Sequence, residues 1–372
     1  MRNLHIGDHI RHELGCAASL KERGFDVTYL HLGNKNFCLR ERNVYIDGKV
    51  VKIKFAQVVS PSFVESMTKS KNFIPSNIIE EKFDVVITTP QIPFHLAYYI
   101  ARRQNIPLIL RIWGIRANKL IDFIIYGKSY SEVLNFWLST MHNFAQVWSS
   151  QAVIAMDDST KSFLNKLLFK RAHVVYPTYA ALYDENNYEW KEYEIKELIK
   201  ENEYVFSIVM MQRSGSTFRL QESNLFKILY IIAKKCPEIN VIIAGSTATK
   251  IIKRFGLSRI PKNLIFTGSI SSDNILKILY EHASMVIIPV FFRSLSNRLL
   301  EALYYKRPIL TNSYAKLLHN KLEHLRHIFI SDNYSEYPNI VRELVKNEAL
   351  LEELAIGAKE AYDSFFSARN AG

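Results

Sequence analysis

From residue 286 to 313 the chain reads Val-Ile-Ile-Pro, then Val-Phe-Phe-Arg-Ser-Leu-Ser-Asn-Arg, then Leu-Leu-Glu-Ala-Leu-Tyr-Tyr-Lys-Arg-Pro-Ile-Leu-Thr-Asn-Ser. An apolar, β-branched run ends at Pro289, and Ser296 has the chemistry of a helix N-cap. A helix start offers unpaired backbone N–H groups and the positive end of its dipole to an anion. Asn297 and Arg298 fall in the first turn, and the Arg298 guanidinium suits a phosphate. Glu301 stands three residues further on the same helical face, where its carboxylate can accept hydrogen bonds from a sugar diol. One element could therefore hold both the phosphates and the ribose of a nucleotide. The plain alternative is a salt pair at an ordinary helix N-terminus.

Other candidates flank strand ends. Arg213 follows the apolar run Val205 to Met211, and Arg219 lies six residues on. Both could pair with an anion, although a solvated arginine is the bland reading. Gly245 and Gly268 close two short strands, as turn glycines or as points of contact with a ligand. In the first half, Gly7, Asp8 and His9 follow the first strand, and Gly7 and Gly15 permit close backbone approach. Asp8 and His9 could bind a ligand at the sheet edge, or serve only to cap the loop. Arg111, Trp113 and Arg116 end another strand. They fit an anionic acceptor such as a lipid phosphate, against packing for Trp113 and surface charge for Arg116. His319, His324 and His327 are close in sequence, but the expectation is a solvated helix and turn, with no metal.

These residues need a scaffold of alternating strands and helices. Strands are expected at Leu4 to Ile6, Val27 to Leu30, Val85 to Ile87, Pro107 to Ile112, Val153 to Ala155 and His173 to Val175. In the second half they are expected at Val205 to Met211, Asn240 to Ala244, Leu264 to Phe266, Met285 to Pro289, Pro308 to Leu310 and Ile328 to Ile330. Helices intervene, at Glu13 to Arg23, Phe94 to Gln104, Asn224 to Cys236, Asp273 to His282, Ser296 to Tyr305 and Ile340 to Phe366. This alternation predicts parallel sheets covered on both faces, and two series predict two doubly wound domains facing one another across a cleft. The expected division is 1–176, a polar, Tyr-rich connection at 177–203, a second domain at 204–355, and a last helix at 356–372. The stretch from Asp122 to Trp148 is rich in apolar and aromatic residues. It reads either as a helical pair packed on the first sheet or as a partly exposed surface that touches lipid.

The order S-N-R-L-L-E-A-L, an aromatic pair, then K-R-P-I-L-T-N-S resembles the nucleotide-sugar signature of GT-B glycosyltransferases, in particular the large family 4 of retaining enzymes. The resemblance implies that the loop and helix start at Ser296, Asn297 and Arg298 bind a diphosphate and that Glu301 binds the ribose. Val205 to Met211 with Arg213, and the turns at Gly245 and Gly268, are similar to the strand ends that open that family's second domain. The resemblance further implies an acceptor site in the first domain and a last helix that crosses back to it. It implies catalysis by cations and helix N–H groups without a metal, the nucleoside-diphosphate sugar being a co-substrate and no cofactor being needed. Four positions depart from the pattern. Arg293 stands eight residues before Glu301 where the family has a second Glu. Phe218, followed by Arg219, replaces a Lys. Trp113 replaces a His and cannot exchange protons. Gly7-Asp8-His9 leading to Gly15 replaces adjacent glycines.

Composition narrows the classes. The 372 residues are 48% hydrophobic and 23% charged, which suits a folded protein and excludes a disordered one. No apolar run approaches the ~18 residues of a membrane span, and no signal peptide is evident. Three scattered cysteines fit a reducing compartment. The net charge of +12 is spread over both halves and suits an anionic partner. The reading is a cytoplasmic hexosyltransferase, soluble or peripheral at a membrane. It would move a sugar with retention onto a glycan, a lipid-linked acceptor or a protein. The alternatives are a decayed scaffold that only binds, an epimerase of the same fold, and nucleic-acid binding, for which no motif is present.

Overall fold

The computed structural model describes residues 1–8, 10–33, 38–112, 130–168, 170–181, 195–197, 199, 204–208, 216–268, 270, 273–291, 297–318 and 320–371. Of these, the residues up to 181 and from 366 onward form one unit, and those from 195 to 365 form a second.

The first unit runs β1 (Arg2–Gly7), α1 (Ile10–Glu22), β2 (Asp26–Gly33), β3 (Cys38–Ile46), β4 (Lys49–Val59), α2 (Phe63–Thr68) and α3 (Ser76–Glu80). It continues with β5 (Val85–Thr88), α4 (Ile92–Gln104), β6 (Leu108–Ile112), α5 (Tyr130–Ser149), β7 (Ala152–Ala155), α6 (Asp158–Leu167) and β8 (Ala172–Val174). Among the described residues its sheet has the order β3-β4-β2-β1-β5-β6-β7-β8. The chain leaves β1 to one side and returns at β5 on the other, so the order reverses between those two strands. Alternate side chains feed two cores. Leu4, Ile6, Val86, Leu108 and Val153 face one way, while Val27, Tyr29, Ile53 and Phe55 pack with α1 on the other.

The first sheet departs from the expected all-parallel pattern at one edge. β3 and β4 form an antiparallel hairpin that the alternation of single strands with helices does not suggest. Its turn is Asp47-Gly48, both at positive φ (46° and 76°), the conformation a two-residue hairpin demands. Alternation in Val51-Lys52-Ile53-Lys54-Phe55, with the apolar members buried, matches a half-covered edge. Residues 177–181, expected in the connection, pack in this unit instead. Ala181 exchanges backbone hydrogen bonds with Tyr45, and a Cβ on Gly15 of α1 would sit 2.8 Å from the Thr178 carbonyl. The rest of the expected connection, 182–194, 198 and 200–203, lies outside the described residues.

The second unit runs β9 (Tyr204–Ile208), α7 (Ser216–Lys235), β10 (Asn240–Ala244), α8 (Ala248–Phe255), β11 (Leu264–Gly268), α9 (Asp273–His282) and β12 (Met285–Ile287). Then follow α10 (Asn297–Tyr304), β13 (Ile309–Thr311), α11 (Ser313–Leu318), β14 (Phe329–Ile330), α12 (Tyr337–Lys346) and α13 (Glu348–Ala361). Its described sheet is parallel throughout, ordered β11-β10-β9-β12-β13-β14, with the reversal between β9 and β12. Val205, Val241, Ile243, Ile287 and Leu310 build its core. Near-continuous apolar strands such as Asn-Val-Ile-Ile-Ala are what burial on both faces requires.

The single helix expected from Ile340 to Phe366 is two. Asn347 leaves helical geometry (φ −103°, ψ 79°), and its side chain accepts from the Leu350 N–H to start α13. An asparagine competes for backbone donors in this way and so favours caps over helix interiors. The chain rejoins the first unit at Phe366. There α14 (Ala368–Ala371) packs on α1, and the Ala368 N–H donates to Asp47 Oδ2 at 2.6 Å.

Candidate active site

In an open α/β sheet, ligands bind beyond the carboxyl ends of the strands where the strand order reverses. In the second unit that point lies past β9 and β12. The two strands are tied together by the Ser207 hydroxyl, which donates to the Ile287 carbonyl at 2.7 Å. The chain beyond β12 is held by Asn312. Its Nδ2 donates to the Val290 carbonyl at 2.8 Å, its Oδ1 accepts from the Val290 N–H at 3.0 Å, and Nδ2 also lies 2.7 Å from the Tyr334 hydroxyl. The Thr311 hydroxyl donates to the Ile288 carbonyl at 2.7 Å. Ile288 and Val290, just past β12, are therefore clamped by the strand beside them.

α10 opens at Asn297, which is half-buried, with Arg298 next to it. Arg298 Nη2 donates to Glu222 Oε1 on α7 at 2.6 Å, and the two side chains are 13% and 3% exposed. Glu301, one turn along, is buried, and its Oε2 accepts from the Tyr280 hydroxyl of α9 at 2.9 Å. The Tyr280 ring is itself fixed, edge-on to Phe206 and stacked on Tyr305. The expected pairing of an arginine and a carboxylate on one helical face is present. Each group, however, is aimed by a residue from a distant part of the chain. Arg298 is not the lone cation that the helix start suggests, because Glu222 already takes one edge of the guanidinium. Among the described residues its other recorded hydrogen-bond donors remain available to an anion at the helix start.

Gly245 and Gly268 come together at the ends of neighbouring strands. Both have positive φ (92° and 71°), and the Gly245 N–H donates to the Gly268 carbonyl at 2.8 Å. That amide is thus committed to the turn, as the turn-glycine reading of Gly245 expects. Arg219 lies in the first turn of α7. Arg213, Ser296 and Arg293 lie outside the described residues.

The first unit builds a second constellation at its own reversal point. Gly7 ends β1, and a Cβ there would sit 2.8 Å from Glu13 Cγ. The glycine thus lets Glu13 pass. Glu13 Oε2 accepts from Arg111 Nη1 at 2.9 Å and pairs with His5 Nε2, and all three side chains are fully buried. Arg111 was expected to meet an anionic acceptor. Instead it is enclosed, because its place on β6 directs it across the sheet toward α1, and among the described residues its Nε and Nη2 find no hydrogen-bond partner. Burial alone would push the His5 imidazole down, but hydrogen bonds to Cys16 and Glu13 outweigh it and hold it above its ordinary value. Burial would raise the Cys16 thiol, yet the Arg111 charge and the His5 hydrogen bond bring it down. Asp8 keeps an exposed surface while burial of its carboxyl, reinforced by Glu13, raises it. His9, Trp113 and Arg116 lie outside the described residues.

Two of the histidines expected on a solvated helix and turn serve the backbone. His324 Nδ1 accepts from the Ile330 N–H at 2.9 Å, and the buried His327 accepts through Nδ1 from the Glu323 N–H at 3.1 Å. His319 lies outside the described residues. Glu222, Tyr280, Asn312 and Glu13 escaped the sequence reading. Of these, Asn312 stands in the singled-out 286–313 stretch, and Glu222 lies three residues after Arg219.

Residues 222–347 match the family model described as Glycosyl transferases group 1. That stretch contains Glu222, Arg298, Glu301 and Asn312. No curated protein matches the chain in sequence. Among solved structures, sucrose-phosphate synthase from Thermosynechococcus elongatus superposes with a TM-score of 0.71 at 10% identity, over 99% of this chain and 95% of that one. Anabaena HepE in complex with UDP and glucose superposes at 0.65 with 12% identity, over 99% and 96%. WaaG, a glycosyltransferase involved in lipopolysaccharide biosynthesis, superposes at 0.61 with 14% identity, over 98% and 95%. Identities this low speak to fold and not to chemistry. The chain has the GT-B fold, and its residues 222–347 are similar to the group 1 glycosyl transferases.

Proposed function

We propose that the protein transfers a sugar from a nucleoside-diphosphate sugar to an acceptor, with retention of anomeric configuration. The observation that carries this reading is the Arg298 and Glu301 arrangement beyond β12, inside the matched glycosyl transferase segment. Glu301, oriented by Tyr280, accepts hydrogen bonds from the ribose diol. Arg298, Asn297 and the α10 start, with Ser296 before it, hold the diphosphate. Arg213 and Arg219 stabilise charge on the departing phosphate, as preorganised cations do in a site of this kind. Gly268 keeps the chain close to the donor. These groups supply the electrostatic work themselves, so we propose a metal-independent hexosyltransferase without a cofactor. That HepE is seen with UDP and glucose supports a donor of this class. Gly7, Asp8, His9, Trp113 and Arg116 form the proposed acceptor side. The acceptor is a glycan, a lipid-linked sugar or a protein. The setting is cytoplasmic, with peripheral contact to a membrane, and the free thiols of Cys16, Cys38 and Cys236 suit it.

A second reading, a scaffold that binds without turnover, draws on Arg293 and Trp113, which replace a carboxylate and a proton-exchanging imidazole.

The test is a thermal-shift panel of UDP, GDP, ADP, TDP and CMP on the wild type and on Glu301→Ala. A nucleotide at ~100 times its dissociation constant stabilises by about 2.7 kcal/mol. One nucleotide should raise the melt, and Glu301→Ala should abolish the rise. No shift with any nucleotide would sink the donor-site reading. A shift without nucleotide release from any matching sugar donor would favour the binding scaffold.

A further inference from the structure

On the first unit, α2, α4 and α5 meet through three rings. Phe63 stands edge-on to His95 and His142, and the two imidazoles stack with centroids 4.9 Å apart. Outward from this contact α5 presents side chains that a surface helix normally buries. Trp137, Leu138, Met141 and Trp148 are 51%, 60%, 60% and 61% exposed. Trp137, Met141 and Trp148 fall at i, i+4 and i+11, within about 40° of one another around the helix. The opposite face, with Thr140, Asn143, Gln146 and Val147, is buried. The orientation of α5 is therefore settled, and the row faces solvent. Across the His142 and Phe63 contact, α2 continues it with Val64 and Met67, 67% and 55% exposed. Single exposed apolar residues are ordinary, but a contiguous row is a mark of an interaction surface.

Cations lie next to the row. Lys69, Lys71, Arg102 and Arg103 line a groove of about 750 Å³ that also includes Met67 and His95. Arg102 lies over the Tyr98 ring, and both arginines donate to tyrosine hydroxyls on α4. None of the four is ion-paired among the described residues. From Asn135 to Ser149, α5 carries no Asp, Glu, Lys or Arg, so no charge along that stretch opposes burial of the row in an apolar phase. No described helix is long and apolar enough to cross a bilayer. A tryptophan-bearing apolar stripe beside unpaired cations is the pattern of a helix that lies in the membrane interface and is drawn to anionic lipid.

We infer that the first unit docks on an anionic membrane surface through this face. α5 lies in the plane of the interface, with Trp137 and Trp148 at the boundary between headgroups and acyl chains. Lys69, Lys71, Arg102 and Arg103 rest against lipid phosphates. The inference extends the peripheral contact proposed above and needs no nucleotide site, so vesicle binding can fail while the donor reading stands, or the reverse.

The experiment is sedimentation of the full chain with large vesicles of phosphatidylcholine alone or mixed with phosphatidylglycerol, without donor. The wild type should bind the mixed vesicles at least about ten-fold better, with a blue shift of its tryptophan emission. Trp137→Ser/Met141→Ser/Trp148→Ser should lose the binding and the shift. Lys69→Gln/Lys71→Gln should weaken binding by about five-fold per charge at low salt while keeping a residual partition into either vesicle. Melting curves equal to wild type would show that both variants are folded. Three results would overturn the inference. The wild type could ignore both vesicles. The triple variant could bind as wild type does. Soluble glycerol phosphate could displace the protein completely, which would make the groove a site for a free phosphate ester. A dimer that the triple substitution dissolves, without vesicle binding, would give the face to a second copy of the chain instead.

Discussion

Each unit sets an arginine–glutamate pair near the carboxyl edge of the parallel strands of its sheet, beside the point where strand order reverses. The two pairs differ in what surrounds them. Arg111 and Glu13 are sealed, both side chains at 0% exposure, with His5 on the same carboxylate oxygen. Arg298 and Glu222 are not, since 13% of the Arg298 side chain remains open. A sealed pair has already lost its hydration and can only hold the structure together. Its removal in halves is costly because the survivor stays buried. A pair with one open edge costs less to disturb and keeps donors for a ligand. Charge at a sheet edge is therefore ambiguous until its exposure is known.

The largest expected effect tests the sealed side. Glu13→Ala should lower stability by about 3–5 kcal/mol in urea unfolding, because Arg111 and His5 are left without their carboxylate. Adding Arg111→Met should recover most of that loss. A cost below about 1 kcal/mol for the single change would erase the contrast between the pairs.

Asn312→Ala comes next. It strips two hydrogen bonds from Val290 and one from Tyr334, so a loss of about 1–3 kcal/mol is expected. The clamp on Val290 goes with it, and nucleotide affinity should fall even at temperatures where the variant is fully folded. Unchanged affinity would show that the clamp serves the fold alone.

Glu222→Gln sharpens the comparison on the open side. The amide can still accept from Arg298, but its negative charge no longer competes with a phosphate. Stability should change by no more than ~1 kcal/mol, while nucleotide affinity rises by about five-fold or less. Calorimetric titration measures this directly, and weaker binding would mean that Glu222 is needed to aim the guanidinium.

The smallest effect is a pH dependence confined to the first unit. Burial, with the neighbouring His142, pushes His95 down to about 4. Its folded value lies below its unfolded one, so its contribution is complete above about 6.5 and is lost as pH falls toward 4. Melting curves across that window should show the wild type losing stability more steeply than His142→Gln. Parallel curves would remove the histidine pair from the account. His5, raised in the folded state, acts in the reverse sense, losing its contribution as pH rises, and it is common to both proteins.

Much of the fold was legible because burial on both faces leaves a local trace. Asn240–Ala244 was expected and found with the same bounds, since five residues with an apolar, β-branched centre can do little else between two helical layers. The β3–β4 hairpin was not recognised, as its outward lysines and arginines dilute the apolar signal, although Asp47-Gly48 marks its turn. The break at Asn347 was missed because the apolar spacing runs on across it, and only the cap reveals the end of α12.

For the site, the three-residue spacing of Arg298 and Glu301 was enough to put a cation and a carboxylate on one helical face. Sequence alone also determined the alternation that makes parallel sheets, because both signals live within a turn or a strand. What surrounds the pair was decided by the tertiary structure. Glu222 arrives from 76 residues before Arg298, Tyr280 from 21 before Glu301, and Asn312 from 22 after Val290. Arg111 and Arg298 are the same residue type at comparable edges, and nothing local distinguishes the sealed one from the open one. Desolvation is a property of everything packed around a group, and it exists only once the chain has brought those distant residues together.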